Sequence, residues 1–214
     1  MAKVWFTSDL HFGHKHILYF KKGRCEKFNI NLNDPDAMEI HDKCLIEQWN
    51  NTIGKKDIIY ILGDLSFLKK DETKKLLEKL HGKKHLILGN HDKSCKGLEN
   101  YFESVSQLKT VNFQKHEFPF LDENFIVEMC HFPILSWNRR QHGVCHLHGH
   151  AHGGCDEVNT LSKELRVDVG YDSNLSNFNF IDLETLYKYF KSITGDMTFR
   201  EYIDKKMIED GYRL

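Results

Sequence analysis

Short apolar runs recur along this chain, and most of them close on an acidic, amide or imidazole residue. Lys3 to Ser8 (KVWFTS), β-branched and aromatic, predicts a buried first strand that gives way to Asp9-Leu10-His11-Phe12-Gly13-His14. Residues 15 to 35 show no clean period and predict a long connection, a type of segment that often carries function. From Asp36 an amphipathic helix is expected, with Met38, Ile40, Leu45, Ile46 and Trp49 near helical spacing, ending by Gly54. Asp57 to Leu62 (DIIYIL) predicts a second strand closed by Gly63-Asp64. A short helix over Asp71 to Leu80 leads to a third strand, His85 to Leu88, closed by Gly89-Asn90-His91-Asp92.

The second half changes character. Ser104 to Phe113, Phe125 to Cys130, Val144 to Leu147 and Leu165 to Val169 read as strands with little helix between them, which predicts a second sheet packed on the first. Phe125 to Cys130 closes on His131-Phe132-Pro133, and Val144 to Leu147 runs into the tract HLHGHAHGG over 146 to 154. Helices are expected over Asp182 to Lys191 and Thr198 to Asp210. Helices between the first strands imply parallel pairing, and parallel sheets gather ligand sites beyond the carboxyl ends of their strands. The pattern therefore predicts an α/β fold, with a second sheet packed on the first. With no repeat or linker-like stretch, residues 1–214 are expected to form one domain, with a C-terminal helical extension around 196–214.

Composition narrows the setting. Thirty basic and thirty-one acidic residues give a formal net charge of -1, which argues against a general nucleic-acid coat protein. Six cysteines without a CxxC pair fit a reducing, cytoplasmic compartment. Neither a signal peptide nor a membrane span is predicted.

The strand ends supply Asp9 and His11, then Asp64, then Asn90 and His91, then His131, then His150 and His152. Carboxylate, imidazole and amide oxygen together suit Mn, Fe, Zn or Ni, and the absence of thiolate argues against a closed structural zinc site. Asp9-x-His11, Gly63-Asp64, Gly89-Asn90-His91-Asp92, the lone His131 and Gly149-His150-Ala151-His152, in that order, resemble the calcineurin-like metallophosphoesterase family. The surrounding wording (TSDLHFGH, HFPILSW, HLHGHAHG) resembles its small stand-alone bacterial and phage members.

The resemblance implies a two-sheet β-sandwich flanked by helices in four αββα layers, with two divalent ions, Mn favoured, at the strand ends. Asp9, His11 and His152 would hold one, Asn90, His131 and His150 the other, and Asp64 would bridge them. It also implies hydrolysis of phosphodiesters or phosphomonoesters, of nucleotides or short nucleic acid, by a metal-bridging hydroxide. His91 would stabilise the phosphoryl group or protonate the leaving oxygen, with Asp92 orienting it. Many members continue Gly-Asp with two residues and then Asp or Asn; this chain has Phe67 there, so that supporting polar group is missing. His146 and His148 are expected in strand or supporting roles. His14, Arg24 and Arg139 are the candidate substrate contacts, with Lys21, Lys22 and Arg140 beside them. The rival reading is a catalytically inactive metal-binding or interaction scaffold on the same fold.

Overall fold

The computed structural model describes residues 2–209. Strand β1 (Val4–Thr7) is followed by two short helices, α1 (Ile17–Phe20) and α2 (Gly23–Phe28), and by the long α3 (Ala37–Thr52). Strand β2 (Ile58–Ile61), helix α4 (Lys70–Lys79), β3 (Lys83–Ile87) and β4 (Ser104–Ser106) complete the first half. Then come β5 (Leu108–Phe113), β6 (Phe125–Cys130), β7 (Cys145–His148), α5 (Asp156–Ser162) and β8 (Arg166–Asp168). The short β9 (Ile181–Asp182) leads into α6 (Leu183–Thr194) and α7 (Phe199–Glu209).

Among the described residues one sheet has the order β4-β3-β2-β1-β9 and the other β5-β6-β7-β8. Strands β1 to β4 run parallel, as do β6 to β8; β9 and β5 pair antiparallel at the edges. Two mixed sheets flanked by helices are what the resemblance implies, and the second sheet packed on the first is what the hydrophobic pattern predicts. Their parallel strands deliver their carboxyl ends to one rim. There the Ser8 carbonyl accepts from the Tyr171 amide at 2.9 Å, stitching the first sheet to the turn that follows β8.

Phe6, Tyr60, Val127, Met129 and Leu147, from both sheets, share one core with Phe125, Phe190 and Phe199, so α7 is packed into the body of the molecule. A second core joins the outer face of the first sheet to α3 and α4 through Ile59, Ile61, Leu45, Trp49, Leu76 and Leu77. Fully burying side chains of this size contributes about 1.5–3 kcal/mol each.

Four expectations change. The connection over 15–35 contains α1 and α2, closed by Asn29 in the left-handed conformation. The run Ser104–Phe113 is two strands: it leaves the first sheet at Ser106 and enters the second at Leu108. A helix, α5, lies between β7 and β8 where little was expected. The helix expected from Asp182 starts one residue later, because the Asp182 side chain caps it, accepting from the Thr185 amide at 2.7 Å. Asp210 and the rest of the expected extension to 214 lie outside the described residues.

Strand alternation explains half of the histidine tract. Along β7, Cys145 and Leu147 face the inter-sheet core, while His146 and His148 point to the other face and are fully buried. His146 Nδ1 lies 3.0 Å from the Glu128 carbonyl, and its ring stacks on Trp137. His148 Nδ1 meets the Gly149 carbonyl at 2.9 Å and its Nε2 the Asn159 amide at 3.1 Å. Burial pulls the His146 pKa down to about 3 and that of His148 to about 4.

An unfolded imidazole titrates near about 6.5, so below that pH the unfolded chain takes up protons that these two refuse. Their contribution to stability is complete above that value and is lost as the pH falls through it toward 4. Asp168, pushed up to about 7 by burial, acts with the opposite sign, but it is one group against two. Urea midpoints are expected to fall between pH 7.5 and 5, with both imidazoles still neutral by NMR at pH 5. Imidazoles found protonated in the folded chain at that pH would contradict this burial.

Candidate metal centre

Each candidate ligand sits where a strand has just ended, and the backbone there bends in an unusual way. Asp9, His11, Asp64, His150 and His152 have φ of 58°, 54°, 52°, 67° and 49°, the left-handed region that L side chains seldom adopt. Interlocking bonds hold them: the Asp9 amide donates to the Gly63 carbonyl, the His11 amide to the Asp64 carbonyl, both at 3.0 Å, and the His150 amide to Asp9 Oδ2 at 2.9 Å. Close approach demands glycine at two points. A Cβ on Gly149 would run into Ser8 and Asp9, and one on Gly89 into the Asp64 carboxylate.

Two groups of ligand atoms result. Asp9, His11 and His152 form one, and Asp64, His131 and His150 the other, the atoms of each lying within 4.8 Å of one another. Asp64 Oδ2 reaches toward both, 3.8 Å from His11 Nε2 and 3.6 Å from His131 Nε2. Asn90 Oδ1 lies 3.0 Å from His131 Nε2, beside the second group.

The proton inventory tests whether cations fit. His131 Nδ1 sits 2.7 Å from the Leu62 carbonyl, so it must be the donor there, and Nε2 on the other side of the ring faces Asn90 Oδ1 at 3.0 Å and Asp64 Oδ2 at 3.6 Å. His152 Nδ1 sits 2.7 Å from Asp172 Oδ2 in the same way, which turns the Nε2 lone pair toward Asp9 Oδ1 at 3.7 Å. Asp9 Oδ1 and both ring nitrogens of His11 are buried with no hydrogen-bond partner among the described residues. The unpartnered atoms thus all belong to the first group, an arrangement that a cation there would satisfy, while in the second group Asp64, His131 and His150 turn ligand atoms toward one another with Asn90 beside them.

Electrostatics point the same way. Burial raises the Asp9 carboxyl, but His11, His152 and His131 around it outweigh that and hold it below its ordinary value. Burial lowers His11 and His150, favouring the neutral imidazole that a metal requires.

Several assigned roles move. Arg24, expected to contact substrate, is fully buried with its guanidinium donors engaged inside the protein. It grips Asp172 through Nε at 2.8 Å and Nη2 at 2.7 Å, and donates to the Leu10 and Asp9 carbonyls at 2.7 and 2.6 Å. Burial would raise Asp172, but the guanidinium holds it well below the usual carboxylate range. Arg139 is exposed at the N-terminal end of β7, where its carbonyl accepts from the His142 and Val144 amides; the ligands lie past the other end. Asp92 does not orient the His91 ring. Its carboxylate accepts the amides of Asp64, Leu65 and Gly89 at 2.9, 2.9 and 2.7 Å and so shapes the turn that carries Asp64.

His91 is exposed beside the centre, its amide bound to Asp64 Oδ1 at 2.9 Å and its ring 4.6 Å from Phe67. His14 lies at the rim, 5.4 Å from the His11 ring and 4.3 Å from Phe67. Lys21 Nζ is tied to the His152 carbonyl and Arg140 to Glu164. Asp172 is the functional group that sequence reasoning missed; its only local signal is its place just after the run Leu165 to Val169.

Comparison with known proteins supplies the context. The sequence profile described as calcineurin-like phosphoesterase matches residues 2–201. The chain is 30% identical to the Gene 66 protein of Mycobacterium phage L5 over 81% of its length and 88% of that protein's. It is 28% identical to the Gene 66 protein of Mycobacterium phage D29, covering 81% and 89%. An uncharacterized protein of Methanocaldococcus jannaschii, MJ1445, shows 29% identity over 88% and 91%. The crystal structure of AQ665 from Aquifex aeolicus, a protein of unknown function, superposes with a TM-score of 0.59 at 18% identity, over 88% of this chain and 100% of that one, a likeness of fold alone.

Asp172→Asn should weaken Mn binding about 10–100-fold in isothermal titration, because His152 loses its carboxylate partner. Arg24→Ala should cost about 3–5 kcal/mol in urea unfolding, since it strands a buried carboxylate. Unchanged Mn affinity in Asp172→Asn would detach that residue from the centre.

Proposed function

Because the chain belongs to the calcineurin-like phosphoesterase family, we propose that it is a cytoplasmic, binuclear metal-dependent phosphohydrolase acting on phosphodiester or phosphomonoester bonds of nucleotides or nucleic acid. The observation that carries this reading is the convergence of candidate ligand atoms: Asp9, His11 and His152 on one side, His131 and His150 with Asn90 beside them on the other, Asp64 between. Two divalent ions, Mn favoured, would supply charge neutralisation for the phosphate and water activated near about neutral pH.

The remaining work falls to side chains. The Asp172 and Leu62 acceptors engage Nδ1 of His152 and His131 and so turn the Nε2 side of each ring toward the centre. Asp92 fixes the Asp64 turn through three amides. His91, exposed and placed by its amide bond to Asp64, hydrogen-bonds the phosphoryl oxygens or hands its proton to the leaving oxygen. His14 at the rim offers a further donor to phosphate. Among the described residues no helix is long and apolar enough to cross a membrane.

Hydrolysis of bis-p-nitrophenyl phosphate or p-nitrophenyl phosphate above the metal blank is expected with Mn and is abolished by EDTA. His91→Ala should lower kcat by about 10²–10⁴ while Mn still binds in titration. Full metal occupancy without turnover of either ester or of a nucleotide panel would favour the inactive scaffold.

A further inference from the structure

Two clefts approach the candidate centre from different sides. One, of about 530 Å³, opens beside Asn90 and is lined by Leu88, Val105, Cys130 and Phe132, with exposed Lys93 and Lys96. The other, of about 490 Å³, opens beside His91 and is lined by Phe67 and Leu68, with exposed Lys69, Lys70 and Lys93. Asn90 and His91 are neighbours in the chain and Lys93 lines both clefts, so the two spaces adjoin beside the candidate ligand Asn90. The acidic groups in the first cleft are already engaged: Glu99 accepts the Gly97 amide at 2.9 Å, and Asp92 is buried under three amides.

Each cleft also has an aromatic wall next to a candidate ligand. The Phe132 ring, 42% exposed, lies 4.8 Å from the His150 ring. The Phe67 ring, 36% exposed, lies 5.1 Å from the His11 ring and 4.6 Å from that of His91. A phosphomonoester has one organic substituent and would fill one cleft only. A phosphodiester has two, and a chain of diesters carries further negative charges to both sets of lysines. Phenyl walls with flanking ammonium groups suit unpaired bases, whose flat faces a duplex would hide.

Building on the phosphohydrolase reading, we propose that the two clefts form one track for single-stranded nucleic acid, with the diester to be cut at the centre. The bases on either side stack on Phe67 and Phe132, and the flanking phosphates meet Lys69, Lys70, Lys93 and Lys96. Hydrolysis adds the elements of water across one P–O bond, leaving a phosphate monoester on one fragment and a hydroxyl on the other. No further co-reactant is needed.

Fluorescence anisotropy of labelled oligodeoxy- and oligoribonucleotides of two to sixteen residues, in EDTA so that the strand stays intact, tests the track. A single-stranded octamer in at least one sugar is expected to bind at least tenfold more tightly than the dinucleotide and more tightly than the duplex of the same length. Lys93→Ala should reduce the slope of log K against log salt by about 1, whereas Lys74→Ala, outside both clefts, leaves it unchanged. Phe67→Ala and Phe132→Ala should each weaken octamer binding several-fold without changing that slope. Binding independent of length, equal or tighter binding of duplex, or equal slopes for the two lysine variants would overturn the proposal. Bis-p-nitrophenyl phosphate separates it from the reading beneath it. Hydrolysis of that diester without length-dependent binding removes the track and spares the hydrolase; strand binding without hydrolysis in Mn removes the hydrolase.

Discussion

Taking the carboxylates of Asp9 and Asp64 out of water, 0% and 2% exposed and both within reach of His11, is the constraint on which the rest of this molecule depends. A buried carboxylate is stable only with hydrogen bonds or a compensating charge. Asp64 Oδ1 receives the His91 amide and Asp9 Oδ2 the His150 amide, but Asp9 Oδ1 receives nothing among the described residues. The imidazoles do not close the gap, because His131 and His152 have spent their Nδ1 protons on Leu62 and Asp172. The fold therefore concentrates carboxylates and imidazoles at one rim, where the proposed cations would meet them.

That concentration is expensive in backbone terms, and the surrounding structure is arranged to hold it. Each non-glycine residue in the left-handed region is strained by about 1–2 kcal/mol, and five candidate ligands are in it. They persist because parallel strands from two sheets end together and their first turns bond to one another: Asp9 to Gly63, His11 to Asp64, His150 to Asp9. Arg24 ties the assembly together from beneath, joining the carbonyls of Asp9 and Leu10 to Asp172 and hence to His152. A helix-borne arginine thus fixes ligands that are more than a hundred residues apart in the chain.

How much of this the sequence discloses follows from what kind of signal each feature leaves. Buried parallel strands leave apolar runs, and ligands at their ends leave short polar blocks, so β1, β2, β3 and β6 and every residue of the two ligand groups are legible. The division of the histidine tract is legible too, since His146 and His148 obey strand alternation while His150 and His152 lie beyond the strand. Arg24 and Asp172 are not, because a buried ion pair between residues 148 positions apart looks, residue by residue, like two ordinary surface charges. Arg139 misleads for the opposite reason: it follows the His131 block closely in sequence, but the intervening loop runs the length of β7 to its far end. The break at Gln107, where one apolar run serves two sheets, has no hydrophobic signature.

Phe67 shows how a departure from the family's pattern is absorbed. Where the family resemblance leads one to expect Asp or Asn, this chain places a phenyl ring against His11, His14 and His91. A polar group there would add to a centre whose acceptors already outnumber its donors. The ring instead restricts the motion of three imidazoles by contact, without competing for their protons or for a cation. Hydrogen-bonded support for the Asp64 turn comes instead from Asp92, which accepts the amides of Asp64, Leu65 and Gly89. Rigidity and ligation are thereby carried by different residues, so the exposed side of Phe67 can vary in what it meets while Asp64 stays fixed.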